Sequence, residues 1–92
     1  MYYVYVLHSR ADGRLYIGST ADLKKRLTKH KTGYVRATKN RRPLQLIYYE
    51  AYLLEREAKR REKYLKSGAG RKELAKQLRD TYDKLGYNYS RE

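Results

Sequence analysis

The sequence predicts an α/β or α+β domain of element order ββαβαα, in which a small antiparallel or mixed sheet carries helices packed on it. Three observations predict it. Residues 2–7 and 15–18 are short runs rich in aromatic and β-branched residues, separated by the hairpin turn pair Asp12-Gly13. Leu23, Leu27 and Lys31, and later Leu54, Ala58, Arg61 and Leu65, recur at helical spacing. Glycines and the only proline punctuate the chain at short intervals, so every element is short.

Taken in order, Tyr2-Tyr3-Val4-Tyr5-Val6-Leu7 reads as the first strand and Leu15-Tyr16-Ile17-Gly18 as its hairpin partner. Ser19 or Thr20 caps a helix over 20–32 with Asp22 in its first turn, and Gly33 ends it. Residues 34–43 form a basic loop closed by Pro43, and 44–51 read as a third strand. A helix over 53–67 is stopped by Gly68 and Gly70, and a last one spans 72–85 with Leu74, Leu78 and Leu85 as its apolar stripe. One domain over 1–87 is expected, with 88–92 as a frayed C-terminal tail.

Composition narrows the chemistry. In 92 residues, 23 Lys and Arg against 10 Asp and Glu leave a formal charge of +13 and a pI near 10.0. Leu, Ile and Val total 17 and Phe is absent, so the 12 tyrosines must supply the missing core area, bringing hydroxyls that need partners or a cleft. Zero cysteines exclude disulfides, thiolate catalysis and Cys-ligated zinc, and make the cytoplasm the expected compartment. No apolar run approaches the roughly 18 residues of a membrane span, and residues 1–8 lack a basic start and a cleavage context. A basic excess of this size calls for a polyanion, and nucleic acid comes first because each phosphate contact releases counterions. Neither a strongly amphipathic basic helix nor a lipidation signal supports a membrane partner.

Three local features stand out from packing. Period-two alternation places Tyr3 and Tyr5 on one face of the first strand and Tyr16 with Gly18 on one face of the second, so the hairpin sets Tyr5 close to Tyr16. A strand tyrosine is a core or rim residue unless something else recruits it. Arg26 and His30, at i and i+4, put a fixed cation and a titratable imidazole on one helix face. Glu62 falls about 80° from Leu54 on the helical wheel and borders the buried stripe, among Lys59, Arg60, Arg61 and Lys63. There it is either an internal ion-pair partner or a metal ligand.

Together these features resemble the GIY-YIG nuclease superfamily: Tyr3-Val4-Tyr5, ten residues, Tyr16-Ile17-Gly18, then Arg26, His30, and Ala58 with Glu62 four residues on. Within it the chain is most similar to the small stand-alone single-domain (UPF0213-like) bacterial group, whose Tyr-Ile-Gly-Ser-Thr-x-Asp-Leu-x-x-Arg-Leu-x-x-His run is matched by residues 16–30. The resemblance runs from residue 2 to about 75 and implies a three-stranded antiparallel sheet flanked by helices.

It also implies a divalent-metal-dependent endonuclease acting on nucleic acid, with DNA expected. By resemblance Tyr5 and Tyr16 are the motif tyrosines, Tyr16 being favoured to orient or deprotonate the attacking water. Arg26 neutralises the scissile phosphate, His30 hydrogen-bonds the phosphate or assists proton transfer, and Glu62 holds one Mg²⁺ or Mn²⁺. A single carboxylate suits an ion that keeps most of its waters. Lys24, Lys25 and Lys29 on the first helix, with Arg36, Lys39, Arg41 and Arg42 in the loop, are the expected phosphate contacts. Two positions depart from the family pattern: Ser19 stands where excision-repair members carry Lys, and their late Asn has no motif-supported counterpart. A nuclease acting alone, one given specificity by a protein partner, and an idle nucleic-acid-binding module on DNA, RNA or ribosomes all remain open.

Overall fold

The structure is a computed structural model and describes residues 1–89. Three strands, β1 (Tyr2–Ser9), β2 (Leu15–Thr20) and β3 (Leu44–Tyr52), form one antiparallel sheet of order β2-β1-β3. Among the described residues four α-helices accompany it: α1 (Leu23–Thr32), α2 (Glu55–Leu65), α3 (Gly68–Gln77) and α4 (Arg79–Leu85), with a 3₁₀ turn at Lys39–Arg41. The class is the expected α+β arrangement with three antiparallel strands, but with one helix more than the sequence predicts. Of the expected tail, residues 90–92 lie outside the described residues.

The central strand β1 decides both faces. Val4 and Val6 join Ile17, Ala58, Leu65, Leu74, Leu78 and Tyr82 in the hydrophobic core beneath α2, α3 and α4. Tyr5, the residue between the two valines, meets His30 of α1, so α1 lies on the opposite face. Ile47 is an extra residue of β3 between the pairs Val6–Tyr48 and Leu7–Leu46, and the bulge lets Ile47 and Tyr48 both pack on the core.

Three expectations fail, each at a particular residue. Asp22, not Ser19 or Thr20, caps α1, accepting from Lys25 N–H at 3.0 Å, because β2 runs on to Thr20. Gly68 and Gly70 open a helix rather than only closing one. Ser67 caps α3 through the Gly70 amide, and a Cβ on Gly70 would stand 1.9 Å from the Tyr64 carbonyl oxygen, so glycine is there for close approach of two backbones. The expected helix over 72–85 is then divided at Leu78, whose φ of −105° and ψ of 24° leave the helix. Tyr82 follows Leu74 and Leu78 into the core across this break, and its ring meets Tyr87 edge-on at 4.7 Å.

Candidate active site

The hairpin register builds the first half of the site. Tyr5 pairs with Gly18 and Leu7 with Tyr16, so both tyrosines rise from the α1 face of neighbouring strands, with ring centroids 6.3 Å apart. Gly18 makes this possible: a Cβ there would lie 2.6 Å from the Tyr5 hydroxyl oxygen and 3.1 Å from the Tyr16 ring. Tyr5 is fully buried, whereas Tyr16, on the edge strand, is half-buried.

Helix α1 supplies the second half from its i, i+4 face. His30 Nε2 lies 2.7 Å from the Tyr5 hydroxyl, and Arg26 Nε donates to that same oxygen at 3.3 Å. The His30 ring also stands edge-on to Tyr16 at 5.2 Å. The hydrogen bond to Tyr5 raises the Arg26 pKa against the opposing effect of burial, and the Tyr16 hydroxyl adds to the rise. Burial raises the Tyr5 pKa, with Tyr16 and Glu62 adding to the rise and Arg26 working against it, so Tyr5 stays a neutral phenol at neutral pH. Burial, then the Arg26 charge, pushes His30 down to about 4. The imidazole, 1 % exposed, is therefore neutral, and its Nδ1 sits 2.7 Å from the hydroxyl of Thr38.

Glu62 approaches the strand edge from α2. Its Oε1 accepts from the Ser19 hydroxyl at 2.6 Å and its Oε2 pairs with Lys66 at 2.9 Å, with 18 % of the side chain exposed. Burial works to raise its pKa, but the Ser19 and Lys66 hydrogen bonds and the charges of Lys66 and Lys59 outweigh it, so the carboxylate is anionic. Since Ser19 follows Gly18, two consecutive residues of β2 carry Tyr5 packing on one face and Glu62 on the other. The orientation of α2 is set one residue earlier. Arg61 grips both oxygens of Glu50 on β3, at 3.0 and 3.1 Å, and the same carboxylate accepts from the hydroxyls of Tyr48 and Tyr52.

An anionic carboxylate beside a hydroxyl is a hard oxygen set. It fits a strongly hydrated dication such as Mg²⁺ or Mn²⁺, once Lys66 releases its oxygen. Among the described residues no cluster of three or more His, Cys, Asp or Glu side chains is close enough to cage an ion.

The expected phosphate contacts divide into two kinds. Lys24, Lys25, Lys29, Arg36 and Lys39 are exposed, and on the wheel Lys29 falls about 60° and Lys25 about 100° from Arg26, so these two flank it, whereas Lys24 falls about 160° away. Arg41 and Arg42 have structural partners. Arg41 clamps the hairpin loop through Asp12 at 2.6 Å and the Leu15 carbonyl at 3.2 Å, and Arg42 donates to the carbonyls of Lys39 and Lys31 beneath Gly33. Sequence reasoning missed Thr38 and Ser19 as partners of His30 and Glu62. Periodicity carries no signal for a hydroxyl delivered by a loop or by a strand end.

Comparison with known proteins finds one family model and several relatives. The family description "GIY-YIG catalytic domain" matches residues 1–75. A UPF0213 protein of Staphylococcus saprophyticus is 39 % identical over 74 residues, covering 79 % of this chain and 89 % of the relative. One of Bacillus pumilus is 43 % identical over 72 residues, covering 77 % and 72 %. The solution NMR structure of a UPF0213 protein from Bacillus halodurans is similar with a TM-score of 0.53 and 33 % identity, covering 84 % of this chain and 85 % of that one.

Proposed function

The chain belongs to the GIY-YIG family, a nuclease-like family, and on that premise we propose that it is a divalent-cation-dependent endonuclease hydrolysing phosphodiester bonds in DNA. One observation carries the reading: a single arginine serves both motif tyrosines at the strand edge where Ser19 holds an anionic Glu62. Water attacks phosphorus, the P–O ester bond breaks, and the departing oxygen takes up a proton.

Tyr16 is the half-buried member of the pair, so its hydroxyl is the one that meets the attacking water. A free phenol is a poor base at neutral pH, so the Tyr16 hydroxyl needs a cation beside it, and Arg26 is the neighbouring cation. The same guanidinium neutralises the charge that builds on the phosphate oxygens. Tyr5 and His30 stand behind these two and act through Arg26 rather than on the phosphate, since both are buried and His30 has each ring nitrogen on a hydroxyl. Glu62, with Ser19 beside it, would hold the cation, which when bound supplies Lewis-acid stabilisation of the phosphate and the leaving oxygen. The exposed lysines flanking Arg26 draw in the polyanion without reading sequence, which leaves specificity to a protein partner or to substrate shape. No helix among the described residues is long and apolar enough to cross a membrane, and we infer action in the cytoplasm.

The Lys66–Glu62 ion pair favours a second reading, an idle nucleic-acid-binding module in which Glu62 is only an internal partner. Incubating the protein with plasmid, single-stranded and branched DNA and with RNA, with Mg²⁺ or Mn²⁺ and with chelator, separates the two. The nuclease reading predicts DNA cleavage that chelator abolishes. Binding without cleavage of any of these under every condition supports the idle module instead.

A further inference from the structure

We propose that Thr38 is a positioning residue of the candidate active site: its hydroxyl fixes the tautomer of His30, which orients the Tyr5 hydroxyl and, through it, the Arg26 guanidinium. The part played by Arg26 at the phosphate rests on the nuclease reading above; the direction of the hydrogen-bond chain does not.

The direction follows from counting donors and acceptors. Arg26 Nε–H can only donate, so it occupies a lone pair of the Tyr5 oxygen. If His30 Nε2 also donated, the Tyr5 proton would have no acceptor among the described residues, on a side chain with no solvent exposure. Burying an unpaired hydroxyl donor is costly, so the Tyr5 O–H must donate to Nε2. The ring proton then sits on Nδ1, and it needs an acceptor. Thr38 Oγ1, 2.7 Å away and likewise without solvent exposure, is that acceptor. The Thr38 hydroxyl proton has its own outlet in the Val35 carbonyl at 3.5 Å, so every donor in the chain Arg26 to Tyr5 to His30 to Thr38 to Val35 is directed the same way.

Two further observations agree. One donor and one acceptor on the same ring require neutral imidazole, and burial together with the Arg26 charge keeps His30 neutral. Thr38 is also held from its backbone, its amide on the Val35 carbonyl at 3.1 Å and its carbonyl accepting from the Arg41 amide at 2.9 Å. Its hydroxyl is therefore delivered by a fixed turn. With Nε committed to Tyr5, the Nη1 and Nη2 groups of Arg26 remain for Tyr16 and for a phosphate.

Removing the acceptor reverses the chain. In Thr38→Val, which keeps the branched shape, Nδ1–H has no partner, the Nε2–H tautomer becomes favoured, and Tyr5 faces two donors. The test is ¹⁵N NMR of the His30 ring and the Arg26 Nε–H signal in the wild type, Thr38→Val and Thr38→Ser, read beside cleavage kinetics. The wild type and Thr38→Ser should show protonated Nδ1 and bare Nε2. Thr38→Val should lose that pattern, shift the Arg26 Nε–H resonance, and lower kcat by about 10- to 100-fold with KM unchanged, a loss that Thr38→Ser restores. A wild type with protonated Nε2 overturns the proposal whether or not any variant folds. So does a Thr38→Val protein that keeps the wild-type tautomer, or a Thr38→Ser protein that does not restore it. Should the wild type cleave nothing, the nuclease reading fails alone, and the NMR signals still decide the direction of the chain.

Discussion

Replacing Gly18 by Ala tests the packing on which the site depends. The added Cβ would lie 2.6 Å from the Tyr5 oxygen and 2.7 Å from its Cζ, where carbon contacts normally sit at about 3.5–4.0 Å. Relief requires a shift of about 1 Å. Tyr5 has nowhere to retreat, because its ring is fully buried and its hydroxyl is held by His30 at 2.7 Å and Arg26 at 3.3 Å. Overpacking of this kind costs about 1–3 kcal/mol, which for a domain of this size lowers Tm by about 5–20 °C. A displacement of that size at a reacting centre also costs on the order of 100-fold in rate. Gly68→Ala is the control, since a Cβ added there would meet nothing within 4 Å and the position opens a helix. It should melt at or slightly above the wild type. Calorimetry of both variants with single-turnover cleavage on DNA reads the two effects. A Gly18→Ala protein that melts with the wild type and cleaves at its rate would show that the Tyr5–Gly18 contact does not constrain the site.

Arg26→Lys keeps the charge but loses the planar fork and its Nε bond to Tyr5, so kcat should fall steeply while DNA affinity stays nearly unchanged, as read by kinetics beside a binding titration. Tyr16→Phe should fold and bind normally but cleave slowly; unchanged cleavage would make Tyr16 a wall. If about five exposed cations engage phosphates, log K should fall with log salt at a slope of roughly −4.5, and changing Lys24, Lys25 and Lys29 together to Ala should flatten it by about 3, whereas Arg41→Ala should lower stability with little effect on the slope. His30 titrates at about 4 folded against 6.5 in the unfolded chain, so the unfolded state binds more protons in between and stability should rise with pH from about 4 to 6.5. Asp12, lowered to about 2 first of all by its hydrogen bond from Arg41, adds a second loss of stability as pH falls from about 4 towards 2. Urea midpoints across pH check both windows, and His30→Gln should flatten only the upper one.

Helix α2 was legible because it buries a face whose period the sequence displays, Ala58 and Leu65 against Lys59 and Arg60. The strands were legible from their aromatic and β-branched runs, although β1 buries Tyr5 as fully as Val4 and Val6. Helix α1 was legible from the spacing of Leu23 and Leu27 and from Gly33, although it buries His30 and leaves Lys31 exposed. The division of the last helix was not, since Leu74, Leu78 and Tyr82 keep helical spacing across the break. Gly70 misled for a related reason: its role is a contact with the Tyr64 carbonyl, which local propensity does not encode. In the site, the i, i+4 pairing of Arg26 with His30 and the hairpin pairing of the tyrosines are short-range and readable. Thr38 and Ser19 are loop and strand-end hydroxyls recruited from 8 and 43 residues away, visible only once the chain has folded.

The central claim is that Glu62 holds a catalytic cation and is more than a partner for Lys66. Its most direct test is a Mg²⁺ or Mn²⁺ titration of the wild type and Glu62→Gln with DNA present, scored for cation binding and for cleavage, after a thermal melt shows both folded. The wild type should bind the cation and cut. Glu62→Gln should lose both properties while holding DNA as tightly or slightly more tightly, since a negative charge has left a basic surface. Cation binding that persists in folded Glu62→Gln, or a wild type that binds no divalent cation with DNA present, would contradict the claim.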